Sequence, residues 1–290
     1  MSTAAFLLVL GSAVSHATWN FLAKRSTHKI AFFWCFTTVA FLLYLPAALV
    51  FGIRDGVSTE GWLRGLGTAV LHGVYGLSLS RSYEVGDLST VYPLSRGMGP
   101  LLVPVLAVPI LGESMSGLAM GGVALVVVGI YALHAEAVAP AALIRPLRLW
   151  DRVESRYAFV TGVLIATYTL WDKAALEYVP PVTLNQFAMA GHVLVLAPLA
   201  LAGGRVAARA EWRERRGSVV AAGVLSPLAY VLVLVALTAA RVSYVAPARE
   251  VGIVLGAALG VFLLGEPYGA PRILGSALIA AGVLLLAVAP

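Results

Sequence analysis

Arg96 and Arg249 each stand about eight residues inside an apolar run, and His16 and His72 lie well inside two others. An arginine in hydrocarbon costs roughly 2.5–3.5 kcal/mol on insertion scales, so each needs water, a partner or a ligand. Two guanidiniums at matched depth could grip an anionic or zwitterionic solute. The other reading has each one snorkel, or pair with a local acid such as Glu250 or Glu84. His72 sits in Leu71-His-Gly-Val-Tyr-Gly, with glycines at 73 and 76 beside it and Tyr75 one turn on. There it could bind a solute or carry a proton near neutral pH; a packed histidine bonded to a backbone carbonyl is the alternative. His16 shares a helix face with Trp19 and Asn20. The candidate binding set is therefore His16, Trp19, Asn20, His72, Tyr75, Tyr92, Arg96, Trp171, Arg249 and Glu250. Asp172, next to Lys173 near a helix end, reads as half of a rim salt bridge, and His192 as a packed histidine.

Known catalytic and cofactor signatures are missing. The chain has no HExxH, P-loop, paired cysteine ligands or GxSxG. No cofactor or metal is expected, and an ATP-driven process would need a partner protein. Its single cysteine, Cys35, excludes an internal disulfide.

The elements that position these residues follow from composition. Of 290 residues, 60% are hydrophobic and 12% charged. Soluble domains carry roughly 25% charged residues, so this chain cannot cover a globule and must face lipid. Its apolar runs, such as Gly121 to Leu133, are long and unbroken, which favours helices over an alternating β-barrel. The net charge of +6 could suggest nucleic acid, but the basic residues lie in short loops, as positive-inside topology requires. The first apolar run has no basic residue before it and reads as a retained helix, not a signal peptide.

A hydrocarbon core of ~30 Å needs about 20 helical residues. Segments of that length fall at Ala4–Lys24, Ile30–Phe51, Trp62–Glu84, Leu88–Leu111 and Ser116–His134. Five more fall at Tyr157–Glu177, Val182–Gly203, Ser218–Ala240, Ser243–Leu264 and Gly269–Val288. The expected fold is an all-α integral membrane protein of ten transmembrane helices: a first five-helix repeat (1–134), a basic cytoplasmic linker (135–156) and a second repeat (157–290). Gly204–Gly217 is the other long polar stretch. Prolines 93, 100, 104 and 109 should kink the fourth segment, and Pro247 marks the matching place in the ninth.

The halves repeat one another. At one common offset Arg96 matches Arg249, Gly99 matches Gly252, and Gly112-Glu113 matches Gly265-Glu266. Gly122 and Gly129 likewise match Gly275 and Gly282. One residue out of phase, Trp19-Asn20 matches Trp171-Asp172. Five spans per half make the second copy inverted, with a site near the midplane between the repeats. Glu113 and Glu266 read as turn and cap residues, and Gly252, Gly256 and Gly260 as a close-packing stripe. Basic residues crowd the odd-numbered loops, from Lys24 and Arg25 through Arg213, Arg215 and Arg216 to Arg272. The even loops hold Arg54, Arg64, Lys173 and Arg241. Odd loops should then be cytoplasmic and both termini external, in the inner (plasma) membrane.

Each half ends in a proline-bearing helix, then Leu-Gly-Glu (Leu111-Gly-Glu, Leu264-Gly-Glu), then a glycine-spaced last helix; helix one carries Ser15-His-Ala-Thr-Trp-Asn-Phe-Leu-Ala-Lys24. Over nearly the whole chain this pattern resembles the EamA-type family of the drug/metabolite transporter superfamily. The resemblance implies a ten-helix secondary transporter, often an exporter of amino acids or other metabolites. Helix one further resembles a branch found beside phosphonate-utilisation functions. Related small multidrug transporters carry a membrane-embedded glutamate in helix one; here that helix offers Ser12, Ser15, His16 and Asn20, which disfavours a lipophilic-cation antiporter. Many family members keep their termini cytoplasmic, the reverse of what the loop charges indicate. The expected partners are a small-molecule substrate and membrane lipid, with no nucleic acid, as a monomer or homodimer. Proton-coupled and uniport modes are equally allowed. A non-transporting membrane protein, an assembly factor or a membrane enzyme, is the competing function.

Overall fold

The computed structural model describes residues 1–85, 88–133, 153–202, 204–264 and 269–290, with side chains throughout except at 80, 83–85, 88–94, 154 and 264. Among the described residues there are eleven helices and no strand. They are α1 (Thr3–Lys24), α2 (Lys29–Asp55), α3 (Thr59–Val85), α4 (Leu88–Leu111) and α5 (Gly117–Leu133) in the first half. The second half holds α6 (Val153–Ala175), α7 (Pro181–Ala202), α8 (Arg205–Ala239), α9 (Val242–Ala248), α10 (Val251–Leu264) and α11 (Ala270–Val288). Apolar runs in lipid must satisfy every backbone group internally, and a helix does so. Six segments are long and apolar enough to cross a membrane: α1, α2, α7, α8, the stretch covering α9 and α10, and α11. Ser95–Leu111 and Gly117–Leu133 are shorter apolar helices. The chain is a multi-pass α-helical membrane protein. α3 buries Thr68, His72, Ser78 and Ser82, and α6 buries Ser155, Thr161, Thr169 and Asp172, and that lowers their hydropathy.

Three expectations are corrected. The polar stretch Gly204–Gly217 is not a loop but the first turns of α8, set off by a kink at Arg215 (φ −129°). One face of it is buried, Ala208 packing with Ala31, Phe32 and Cys35 of α2, while Arg205, Arg209 and Arg213 are exposed. α4 is one continuous helix through its prolines, whereas the matching segment of the second half is interrupted at Arg249-Glu250. Pro247, one residue before the end of α9, donates no backbone hydrogen bond there. Third, Gly252 and Gly256 do not form a tight glycine seam. A Cβ on Gly256 would meet nothing within 4 Å, and one on Gly252 would make ordinary contact at 3.5 Å.

α5 and α11, the last helix of each repeat, pack backbone to backbone. A Cβ on Gly122 would lie 2.9 Å from the Gly282 carbonyl oxygen, and one on Gly282 2.6 Å from that of Gly122. Gly129 and Gly275 do the same one or two turns away, against Gly275 O at 2.9 Å and Leu133 N at 2.4 Å. Backbone atoms cannot rotate aside, so Gly275→Ala should cost about 1–3 kcal/mol and lower folded yield. Gly256→Ala should be neutral, and thermal melts of the two detergent-solubilised variants check the contrast.

Helix pairings fall into matched sets. α1 packs on α8 as α6 packs on α3, α4 packs on α6 as α9 and α10 pack on α1, and α3 packs on α7 as α8 packs on α2. α2 meets α7, and α5 meets α11. Exchanging the halves therefore maps the packing onto itself, a two-repeat architecture.

The ends alternate in the same way. The Met1 amine donates to the Ala289 carbonyl at 3.3 Å, and Tyr244 Oη donates to Pro290 O at 2.7 Å. Glu113 does act as a cap, but of α9: its carboxylate accepts from Val242 N at 2.8 Å and Ser243 N at 2.9 Å. At the opposite end Glu211 accepts from Thr27 N and His28 N at 2.9 and 2.7 Å and so caps α2. Glu266 and most of the linker 135–156 lie outside the described residues.

Candidate functional site

α1, α2, α3, α4, α6, α7, α8 and the turn between α9 and α10 converge on a cavity of about 70 Å³. Its wall includes His16 and Trp19 from α1, His72 and Tyr75 from α3, Arg96 from α4, Tyr168 from α6, His192 from α7, Tyr230 from α8, and Arg249. Both repeats thus contribute, as the pairing of α4 with α6 and of α10 with α1 dictates.

The two repeat-related arginines do different work. Arg96 Nε lies 3.5 Å from Glu250 Oε2, and its Nη2 donates to His16 Nε2 at 3.2 Å. A guanidinium has donors only, so His16 must accept through Nε2. Glu250 is adjacent to Arg249 in sequence yet pairs across the repeats with Arg96. Arg249 stacks over the Tyr230 ring, its Cζ 5.9 Å from the centroid. Among the described residues its guanidinium makes no ion pair or hydrogen bond, and it faces the cavity.

Asp172 is the second centre, and the expectation of a rim salt bridge with Lys173 is wrong. Asp172 is fully buried. Its Oδ1 accepts from Thr68 Oγ1 at 2.5 Å, and its Oδ2 lies 2.8 Å from His72 Nε2 and accepts from Tyr230 Oη. Lys173 donates instead to the carbonyls of Leu237 and Ala240 at 2.5 and 3.1 Å, closing the end of α8. Successive helical residues point about 100° apart, so neighbours in sequence do not face each other.

Of the other candidates, Trp19 meets His16 edge-to-face with ring centroids 5.1 Å apart, and Asn20 donates back to the His16 carbonyl at 2.7 Å. Tyr75 packs on Tyr168 at 5.2 Å. His192, expected to be merely packed, reaches the cavity wall with its ring 5.6 Å from His72. Trp171 is not brought to the cavity: its Nε1 donates to the Arg64 carbonyl at 3.0 Å, under the Arg64 guanidinium and against Gly67. The Tyr92 side chain lies outside the described residues.

Sequence reasoning missed Asp172, Thr68, Tyr168 and Tyr230. The repeat held two of the signals. The register that sets Trp171-Asp172 on Trp19-Asn20 also sets Tyr168 on His16, and Tyr230-Val-Leu-Val-Leu echoes Tyr75-Gly-Leu-Ser-Leu.

A search of the curated proteins returned no match. A solved crystal structure superposes with a TM-score of 0.71 at 17% identity, covering 98% of this chain and 96% of that one; the likeness establishes the fold alone. The EamA-like transporter family profile matches residues 3–134 and again 156–288. With both repeats matched, the chain belongs to the EamA-like transporter family of the drug/metabolite transporter superfamily, and is a membrane transporter.

Proposed function

We propose that this protein is a secondary transporter that moves a small polar metabolite with an anionic group across the inner membrane by alternating access. Ten spans in two inverted repeats rock about the cavity. The broken α9–α10 segment counts as one span. Arg249 is the observation that carries this reading: a guanidinium facing a cavity between the repeats, stacked on Tyr230 and without a carboxylate partner among the described residues. Such a group favours carboxylate or phosphonate oxygens over cations. An amino acid or another zwitterion fits the same fork. Export is the direction the family resemblance favours.

Liposomes containing only this protein test the reading. Metabolites that raise its melting temperature should be carried across the bilayer without any added protein. Product formation in detergent, with no flux, would favour a membrane enzyme.

Orientation is tested separately, in a Cys35→Ser background. Exposed basic residues of α8 such as Arg213 should face the cytoplasm, and exposed Ser58 the outside. Ser58→Cys should react with an impermeant thiol reagent added to intact cells, and Arg213→Cys should resist it. The opposite pattern would place the termini in the cytoplasm.

A further inference from the structure

We propose that His72 and Asp172 together form a proton site and that one proton crosses with each substrate anion. The inference rests on the transport reading above and adds its coupling ion. The cavity wall holds two guanidiniums, Arg96 and Arg249, and two carboxylates stand behind it against wall residues, Asp172 on His72 and Glu250 on Arg96. With neutral imidazoles these charges cancel. A bound monoanion adds one negative charge between the helices of a membrane protein, where an uncompensated charge is expensive. One proton on the His72–Asp172 pair restores neutrality.

The geometry joins the two sites. Arg249 stacks on the Tyr230 ring, and Tyr230 Oη donates to the Asp172 oxygen that also faces His72 Nε2. When the pair has lost its proton, Asp172 is an anion that the nearby Arg249 balances through the tyrosine. When the pair carries it, the imidazolium balances Asp172 and Arg249 is released to hold the solute. Anion and proton therefore favour each other's binding, and that coupling is reciprocal.

The surroundings leave few rivals for the proton. On α3, Arg64 is paired with Glu60; on α6, Lys173 is bonded to carbonyls of α8 and Tyr168 packs on His72. From α7, His192 touches His72 edge-on, and its Nδ1 has no hydrogen-bond partner among the described residues. From α1 and α4, His16 and Arg96 are bonded to each other, and Arg96 meets Glu250. His72 is thus an imidazole on the cavity wall bonded to the buried carboxylate of Asp172 behind it, placed to exchange a proton through the cavity.

Proteoliposomes loaded with the wild-type protein and given labelled glutamate, lactate or methylphosphonate test this. A gradient of about one pH unit should drive about ten-fold accumulation of the transported probe, the value for one proton per anion. Asp172→Asn keeps an amide that can bond Thr68 and His72. Whatever exchange of labelled for unlabelled probe it retains should no longer respond to the gradient. His72→Gln should behave alike, which covers the case in which one variant fails to fold. If wild-type flux is unmoved by the pH gradient, or both variants respond as wild type does, the proton site is wrong and the transport reading stands. If wild type carries none of the three probes, the anion-transport reading fails, and the coupling falls with it.

Discussion

Arg249→Gln is expected to abolish transport while leaving a well-folded protein. The guanidinium makes no direct ion pair among the described residues, and Asp172 keeps its hydrogen bonds from Thr68 and Tyr230 and its contact with His72 when Arg249 is removed. Removing the guanidinium even relieves an insertion cost of roughly 2.5–3.5 kcal/mol, so the melting temperature should not fall. A carboxylate or phosphonate held by two charge-assisted bonds, each worth about 1.5–3 kcal/mol, loses both, so affinity should drop by at least about 100-fold. Arg249→Lys keeps the charge but not the planar fork and should fall between the two. Half-saturation concentrations and melts on the same preparations read both effects. A Gln variant that transports normally, or that fails to fold, would remove Arg249 from the binding site.

The value of these arginines was legible in the sequence, but the difference between them was not. Their shared depth follows from repetition, and repetition cannot say which one an acid satisfies. Glu250 looked like a partner for its neighbour Arg249. The interruption after Pro247 turns the chain there, and the carboxylate reaches α4 in the other repeat instead. The same limit hid Asp172. Lys173 beside it suggested an exposed pair, whereas the helical turn sends the lysine to α8 and the aspartate inward. Hydropathy and spacing located the helices well, because lipid enforces length and apolarity. They failed at α8, where an arginine-rich stretch that looked like a loop continues as an amphipathic helix. Glycine spacing showed that the last helices of each repeat were special. Which glycines meet a neighbouring backbone at close range depended on contacts between helices far apart in sequence, Gly122 and Gly129 against Gly275 and Gly282.

The second large effect is on folding, at the partner arginine. Arg96 and Glu250 come from different repeats, so their attraction ties the halves together across the cavity. The 3.5 Å separation is long for a good hydrogen bond, and the pair is held by charge, with His16 bonded to the guanidinium at 3.2 Å. Both side chains are largely buried, at 13% and 8% exposure, so removing one charge strands the other. Breaking a buried pair in this way costs about 3–5 kcal/mol. Arg96→Gln is therefore expected to lose most of its folded yield, with Glu250 left uncompensated. Combining it with Glu250→Gln removes both charges and should restore stability toward that of wild type. The four proteins of this cycle, melted in the same detergent, give the interaction directly: strong coupling, well above the roughly 0.5 kcal/mol seen for independent sites, is the expected result. Additive losses would mean that Arg96 and Glu250 do not depend on each other. An Arg96→Gln variant as stable as wild type would move the open, substrate-facing role from Arg249 to Arg96.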